Sequence, residues 1–149
     1  MTMVAARIWH RTNLDPAEVT RGEAQSLAEH LGIVITEIGN DFVSASMPVD
    51  SRTVQPHGRL HGGASVALAE TIGSLAANLT LDPAAQIAVG LEINANHIRP
   101  VKNGVVRATA RPEALGRTTQ IWSIRIVDEQ GRLVCISRLT IAVIAVERK

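Results

Sequence analysis

The chain has 149 residues, 46% of them hydrophobic and 19% charged, enough for one soluble hydrophobic core. It has no uninterrupted apolar run of the roughly 18 residues a membrane span needs. Its start, MTMVAARIWHRTN, has no apolar stretch of the secretory-signal kind, and its lone Cys135 excludes an internal disulfide, so a cytoplasmic protein is expected. The net charge of +1 is unevenly spread: −5 through Asn96, from five arginines and ten acids, and +6 from His97 onward, from ten bases and four acids. A basic half suits an anionic ligand or solvated strand faces. Nucleic acid is disfavoured, because Trp9, Phe42 and Trp122 are the only aromatics available for base stacking.

LDPAEVTRGEAQSLAEHLG predicts a helical arm in two pieces, the arm as a whole covering residues 1–31 of a single domain, 1–149. Asp15 is placed as N-cap with Pro16 at the first helical position, Gly22 as the break and Gly32 as the C-terminal cap. IVITEI and FVSASMPV then alternate about GND, a hairpin signal. DSRTVQPHGRLHGG carries Pro and Gly and reads as a loop.

A helix is predicted over 64–79, apolar or small on nearly every face and therefore expected to be buried all round. Four strands follow: IAVGLEINANHI, GVVRATARPE, TQIWSIRIVD, with Trp122, Ile124 and Ile126 on one face, and LVCISRLTIAVIAV after the EQGR turn. The resulting fold class is α+β, an antiparallel sheet packed on one long central helix.

Glu70 is the only charged residue between Arg59 and Asp82. An isolated carboxylate in an apolar helix is costly unless it has a task, and the task that fits is nucleophile or general base beside an electrophile. HGG at 61–63 supplies free first-turn N–H groups at a helix start, the equipment of an oxyanion hole. Gly62 and Glu70 stand eight residues apart, about 12 Å along a helix, too far to meet at one reacting centre. A twofold dimer in which each chain supplies one of the two groups removes the difficulty. His57 and His61 are also four apart, but Pro56 and Gly58 set them on a loop and no further ligand cluster supports a metal. Cys135 reads as a small core side chain.

DSRTVQPHGRLHGGASVALAETIGSLA, VGLEINANHIRP, LGRTTQIW and GRLVCISRLTIAV, in this order from about Leu31 to Val143, resemble the hotdog-fold acyl-CoA thioesterases. The similarity is greatest to the branch holding the Arthrobacter-type 4-hydroxybenzoyl-CoA, enterobactin-proofreading and 1,4-dihydroxy-2-naphthoyl-CoA enzymes. The resemblance implies a sheet wrapped on a long helix, a homodimer or a dimer-of-dimers tetramer, and sites between subunits. It implies hydrolysis of an acyl-CoA, aroyl-CoA or carrier-protein thioester without metal or other cofactor, coenzyme A being part of the substrate. Carried over residue by residue, Glu70 matches the catalytic carboxylate and Gly62 the amide that polarises the carbonyl. His61 and Gln55 match residues that orient the carbonyl and the water or leaving group, Ser74 a polar position one turn on, and Leu75 the acyl pocket. Gly90, His97 and Arg99 match positions along coenzyme A; Leu115, Gly116, Arg117, Thr118 and Thr119 match a phosphate loop, with Arg138 assisting. His57 and Arg59 depart from the QPFGLLHGG common among relatives. The competing readings are a hotdog-fold hydratase or dehydratase and a non-catalytic acyl-CoA-binding module.

Overall fold

The computed structural model describes residues 5–147. Two short helices come first, α1 (Pro16–Gly22) and α2 (Leu27–His30). Asp15 caps α1 by accepting the Ala17 N–H at 3.1 Å, with Pro16 in the first turn, where its missing donor is not needed. Gly32, at φ 72°, follows α2 in the left-handed conformation that lets the chain turn into the sheet.

Strands β1 (Val34–Ile38) and β2 (Val43–Pro48) form the expected hairpin. A turn-rich loop pinned by a bridge between Val54 and Leu60 leads to α3 (Gly62–Leu79). The remaining strands are β3 (Gln86–His97), β4 (Val105–Leu115), β5 (Thr119–Val127) and β6 (Leu133–Ala145). All pair antiparallel in one sheet of order β1-β2-β4-β5-β6-β3. The strand that follows α3 therefore crosses to the far edge, and β4 returns to pair with β2.

α3 starts two residues earlier than expected. Gly62 and Gly63 read as loop because glycine disfavours helix, but the His61 side chain caps the turn, its Nδ1 accepting the Gly63 N–H at 2.8 Å. The expectation of all-round burial is also corrected. Ala64, Ser65, Leu68, Ala69, Ile72, Gly73, Ala76 and Ala77 are buried, whereas Val66, Ala67, Glu70, Thr71, Ser74, Leu75 and Asn78 are half-buried. The burial alternates in pairs along the helix, so only one face meets the sheet within a chain. Gly73 sits in that buried face because a Cβ there would lie 2.7 Å from Leu139 Cδ2.

The core is one cluster drawn from alternate strand positions. Val43, Ala45 and Met47 of β2, Val106, Ala108 and Ala110 of β4, Trp122, Ile124 and Ile126 of β5, and Leu139 and Ile141 of β6 are all sealed from solvent against Leu68 and Ile72 of α3. Cys135 lies buried among them, and burial pushes its thiol up from the usual cysteine range, as suits an inert core residue. Trp9 lies nearly parallel to Trp122, with centroids 6.4 Å apart, and donates from Nε1 to the Gly39 carbonyl at 2.6 Å. This contact ties the first part of the arm to the strands. No helix among the described residues is long and apolar enough to cross a membrane.

Candidate active site

The residues singled out from the sequence fall into separate places within one chain. The first is a groove of about 550 Å³ between the arm and the half-buried face of α3. Glu70, Ser74 and Leu75 line it, with Ala67, Thr71 and Asn78 from the helix and Glu23, Ser26, Leu27 and Ala28 from the arm. The spacing of 67, 70, 71, 74, 75 and 78 is the one-face spacing of a helix. Among the described residues Glu70 makes no ion pair, and no donor reaches its carboxylate. That carboxylate rests against the backbone of β3, and a Cβ at Gly90 would lie 2.5 Å from Glu70 Oε1. Asn78 fixes the helix to the same strand, accepting the Ala88 N–H at 2.9 Å and donating to the Ala88 carbonyl at 3.2 Å.

The second place is a cavity of about 370 Å³ at the start of α3, where Gln55, Gly62, His97 and Arg99 come together with Arg59 and Ser65. Gly62 is the first residue of the helix, so its N–H has no intrahelical acceptor, and among the described residues no other group takes it. A Cβ at Gly62 would stand 2.8 Å from His97 Nε2, so the imidazole packs directly on this glycine. Gln55 accepts the His57 N–H through Oε1, which leaves its NH₂ unpaired among the described residues. His61 lines neither cavity; exposed, it holds the helix start through its bond to Gly63.

The remaining residues lie apart. Leu115, Gly116, Arg117, Thr118 and Thr119 form the exposed β4–β5 turn, closed by the Gly116 N–H to the Thr119 carbonyl at 2.9 Å. Thr119 pairs with Ala142, which in turn pairs with Val89, whereas His97 pairs with Cys135 at the opposite end of the sheet. Turn 115–119 and Arg99 are therefore at opposite ends of one chain. Arg138 is exposed, between Ser123 and Asn94 on the sheet face away from α3, flanked in sequence by buried Ser137 and Leu139.

Sequence reasoning left Arg59 open between the pocket mouth and solvent, and the structure places it in the second cavity; it missed Glu23, Ser26, Leu27 and Thr71 as groove residues. Thr71 was findable from its place beside Glu70. The arm residues carried no local signal, because their place over α3 is decided by tertiary packing.

A six-stranded antiparallel sheet packed on one long helix, with glycine at the helix start and a lone acid two turns on, is the hotdog arrangement, and the chain belongs to the thioesterase superfamily, whose family model matches residues 57–135. The proofreading thioesterase EntH of Cronobacter sakazakii is 55% identical over 119 residues, 80% of this chain and 86% of that protein. The solved structure of thioesterase HI1161 from Haemophilus influenzae superposes with a TM-score of 0.91 at 50% identity, covering 95% of this chain and 97% of the other. A mutant of thioesterase PA1618 from Pseudomonas aeruginosa gives 0.91 at 45% identity, with 93% and 99% covered. The protein is thus a thioester hydrolase.

Proposed function

We propose that the protein hydrolyses acyl-CoA or aroyl-CoA thioesters in a site shared by two copies, Glu70 of one copy acting as nucleophile or general base and the Gly62 N–H of the other as oxyanion donor. The observation that carries this reading is the separation within one chain. The only unpaired acid of α3 lines one cavity, the free amide lines another, and the two cavities have no residue in common.

The edge strand β3 supplies the remedy. Its outward row is exposed, apolar up to the bulge, with Ile87 at 43% and Leu91 at 64% exposure, and polar beyond it at Glu92, Asn94 and Asn96, and the unpaired backbone of such an edge is a template for pairing. Two copies of β3 paired antiparallel about a twofold axis exchange the ends of the sheet. A register that sets Gly90 opposite the partner's His97 brings Glu70, which rests on Gly90, to the partner's Gly62, which rests on His97. The same operation carries turn 115–119 towards the partner's Arg99. Both halves of the inferred coenzyme A track are then continuous, with Gly90, His97 and Arg99 along it and 115–119 at its phosphate end. Arg138, on the other face of the sheet, contributes only from a different copy in a larger assembly.

In this site the thioester carbonyl accepts the Gly62 N–H, aided by the positive end of the α3 dipole. The Gln55 NH₂ orients the carbonyl or the leaving sulfur, while His61 keeps the Gly62–Gly63 turn in place. As general base, Glu70 takes a proton from water as its oxygen bonds to the carbonyl carbon. The tetrahedral oxyanion then collapses, the C–S bond breaks, and the thiolate leaves and takes up the proton. As nucleophile, the Glu70 carboxylate displaces the thiolate to form an anhydride, which water cleaves to the acid and free Glu70. Water is the only co-reactant, so the chemistry needs no redox cofactor, and in this reading Glu70 and the Gly62 N–H fill the base and oxyanion roles that a metal would otherwise serve. The acyl group lies in the groove of Ser74, Leu75 and the arm.

Thiol release from a panel of aroyl, short-chain and long-chain CoA esters tests the reading. Release from at least one class supports it. Hydration of an enoyl ester without thiol release, or binding of every ester without turnover, would replace it with the hydratase or binding-module alternative. Gly90→Ala is a sharper probe of the placement of Glu70. Its methyl would meet Oε1 at 2.5 Å, so kcat should fall by about tenfold or more with KM little changed. An unchanged kcat would mean that the carboxylate does not work from its seat on β3.

A further inference from the structure

The hollow under the arm continues past Leu75. A further cavity, of about 270 Å³, lies between the arm and the last turns of α3, and it shares Glu23 and Leu75 with the groove that holds Glu70. Thr71 and Leu75 line the groove, Leu75 and Leu79 the further cavity, each pair four residues apart, so the two hollows follow one another along one face of the helix. Leu75 stands about 7 Å beyond Glu70 along the axis, and Leu79 about 13 Å. Leu14 and Val19 of the arm face Leu75 and Leu79 of α3 across the cavity, and all four are half-buried against the core. The charged residues of its rim are engaged with other groups: Arg11 pairs with Glu18 at 3.7 Å, and Asp15 accepts the Ala17 N–H. Apolar side chains left partly wet in a hollow gain when an apolar ligand covers them.

We propose that this cavity is a distal acyl subsite, and that the thioester turned over here carries an unbranched alkyl chain of medium length whose end lies between Val19 and Leu79. A saturated chain advances about 1.3 Å per bond, so a hexanoyl group reaches about as far as Leu75 and a decanoyl group ends beside Leu79. Butyryl and benzoyl groups stop short of the cavity. The proposal rests on the thioesterase reading of Glu70 and adds a chain-length preference to it. Val19 lines neither the groove of Glu70 nor the cavity at the start of α3, so a larger side chain there fills the distal subsite alone.

The test measures thiol release from butyryl-, hexanoyl-, octanoyl-, decanoyl- and benzoyl-CoA by wild type and Val19→Phe. Burial of one methylene is worth about a factor of four, so wild-type kcat/KM should rise about tenfold or more from hexanoyl to decanoyl. Val19→Phe should cancel that gain through KM, with kcat kept and with the butyryl and benzoyl esters turned over as by wild type. A wild-type series that is flat or falls beyond hexanoyl overturns the proposal without recourse to any variant. The same decanoyl-to-butyryl ratio in both proteins overturns it as well. Absence of thiol release from every ester would instead remove the thioesterase reading, and the subsite is then judged by calorimetric titration with the thioethers S-butyl-CoA and S-decyl-CoA. Tighter binding of S-decyl-CoA by wild type, lost in Val19→Phe, upholds the subsite; equal affinity of wild type for the two thioethers, or a preference that Val19→Phe retains, removes it.

Discussion

Glu70→Ala should lower kcat/KM for thioester hydrolysis by about 100- to 10,000-fold, the range over which a positioned acid–base or nucleophilic group acts. The side chain is placed by both its neighbours. The half-buried face of α3 presents it to the arm groove, and Gly90 gives its carboxylate a seat on β3. No salt bridge or hydrogen bond among the described residues depends on it, so its removal orphans no partner and alanine is a better helix former. The variant should therefore unfold at the wild-type temperature or slightly above and keep its oligomeric state. Activity is read as thiol release, assembly by sedimentation. Wild-type kcat/KM in a folded Glu70→Ala protein would end the assignment of the acid.

Trp122→Ala carries the largest expected effect on stability, a loss of about 3–5 kcal/mol for removing a large aromatic from a packed core. Trp122 has no exposed surface and lies along Trp9. Its Nε1 donates to Gln120 Oε1 at 2.9 Å, and Gln120 Nε2 donates to Thr80 Oγ1 at 2.9 Å. Thr80 closes the C-terminal end of α3 through Oγ1 to the Ala77 carbonyl at 2.7 Å. The indole thus links the middle of the sheet to the helix end, and its loss leaves a buried Gln120 oxygen without a donor, a further destabilisation. Trp122→Phe should recover most of the packing but not the hydrogen bond. Urea unfolding gives both differences; a loss below about 1 kcal/mol for alanine would show that the relay is not a structural tie.

The parts of this fold that were legible in the sequence are those set by neighbouring residues. Asp15 and Pro16 open α1, Gly32 turns the chain at positive φ, and Trp122, Ile124 and Ile126 alternate into the core as their spacing implied. The start of α3 was misplaced by two residues because histidine capping of a glycine pair has no strong local signal. Which face of α3 meets the sheet was legible in the polar positions Glu70, Thr71, Ser74 and Asn78, which all fall on the half-buried face, but the small and apolar residues spread round the helix masked it. In the site, Glu70 stood out as the only charge in its stretch and Gly62 as a glycine at a helix start. The meeting of Arg59 with Arg99, and of the arm with Ser74 and Leu75, depends on segments distant in the chain, and no spacing rule reports it.

The central claim, that one site takes Glu70 from one copy and Gly62 from its partner, is tested most directly by mixing two inactive variants. Glu70→Ala removes the acid; Gly62→Pro removes the N–H at a first helical position, where proline suits the backbone, and its ring displaces the His97 imidazole only in the site that this copy already leaves inactive. In a twofold hybrid of the two, one site holds neither group and the other holds both intact. Unfolding and refolding the two together should therefore restore about a quarter of the wild-type rate, since half of the dimers are hybrids with one working site each. A mixture as inactive as its components, with hybrid dimers demonstrably formed, would contradict the account, because it would mean that both groups serve a site within a single chain.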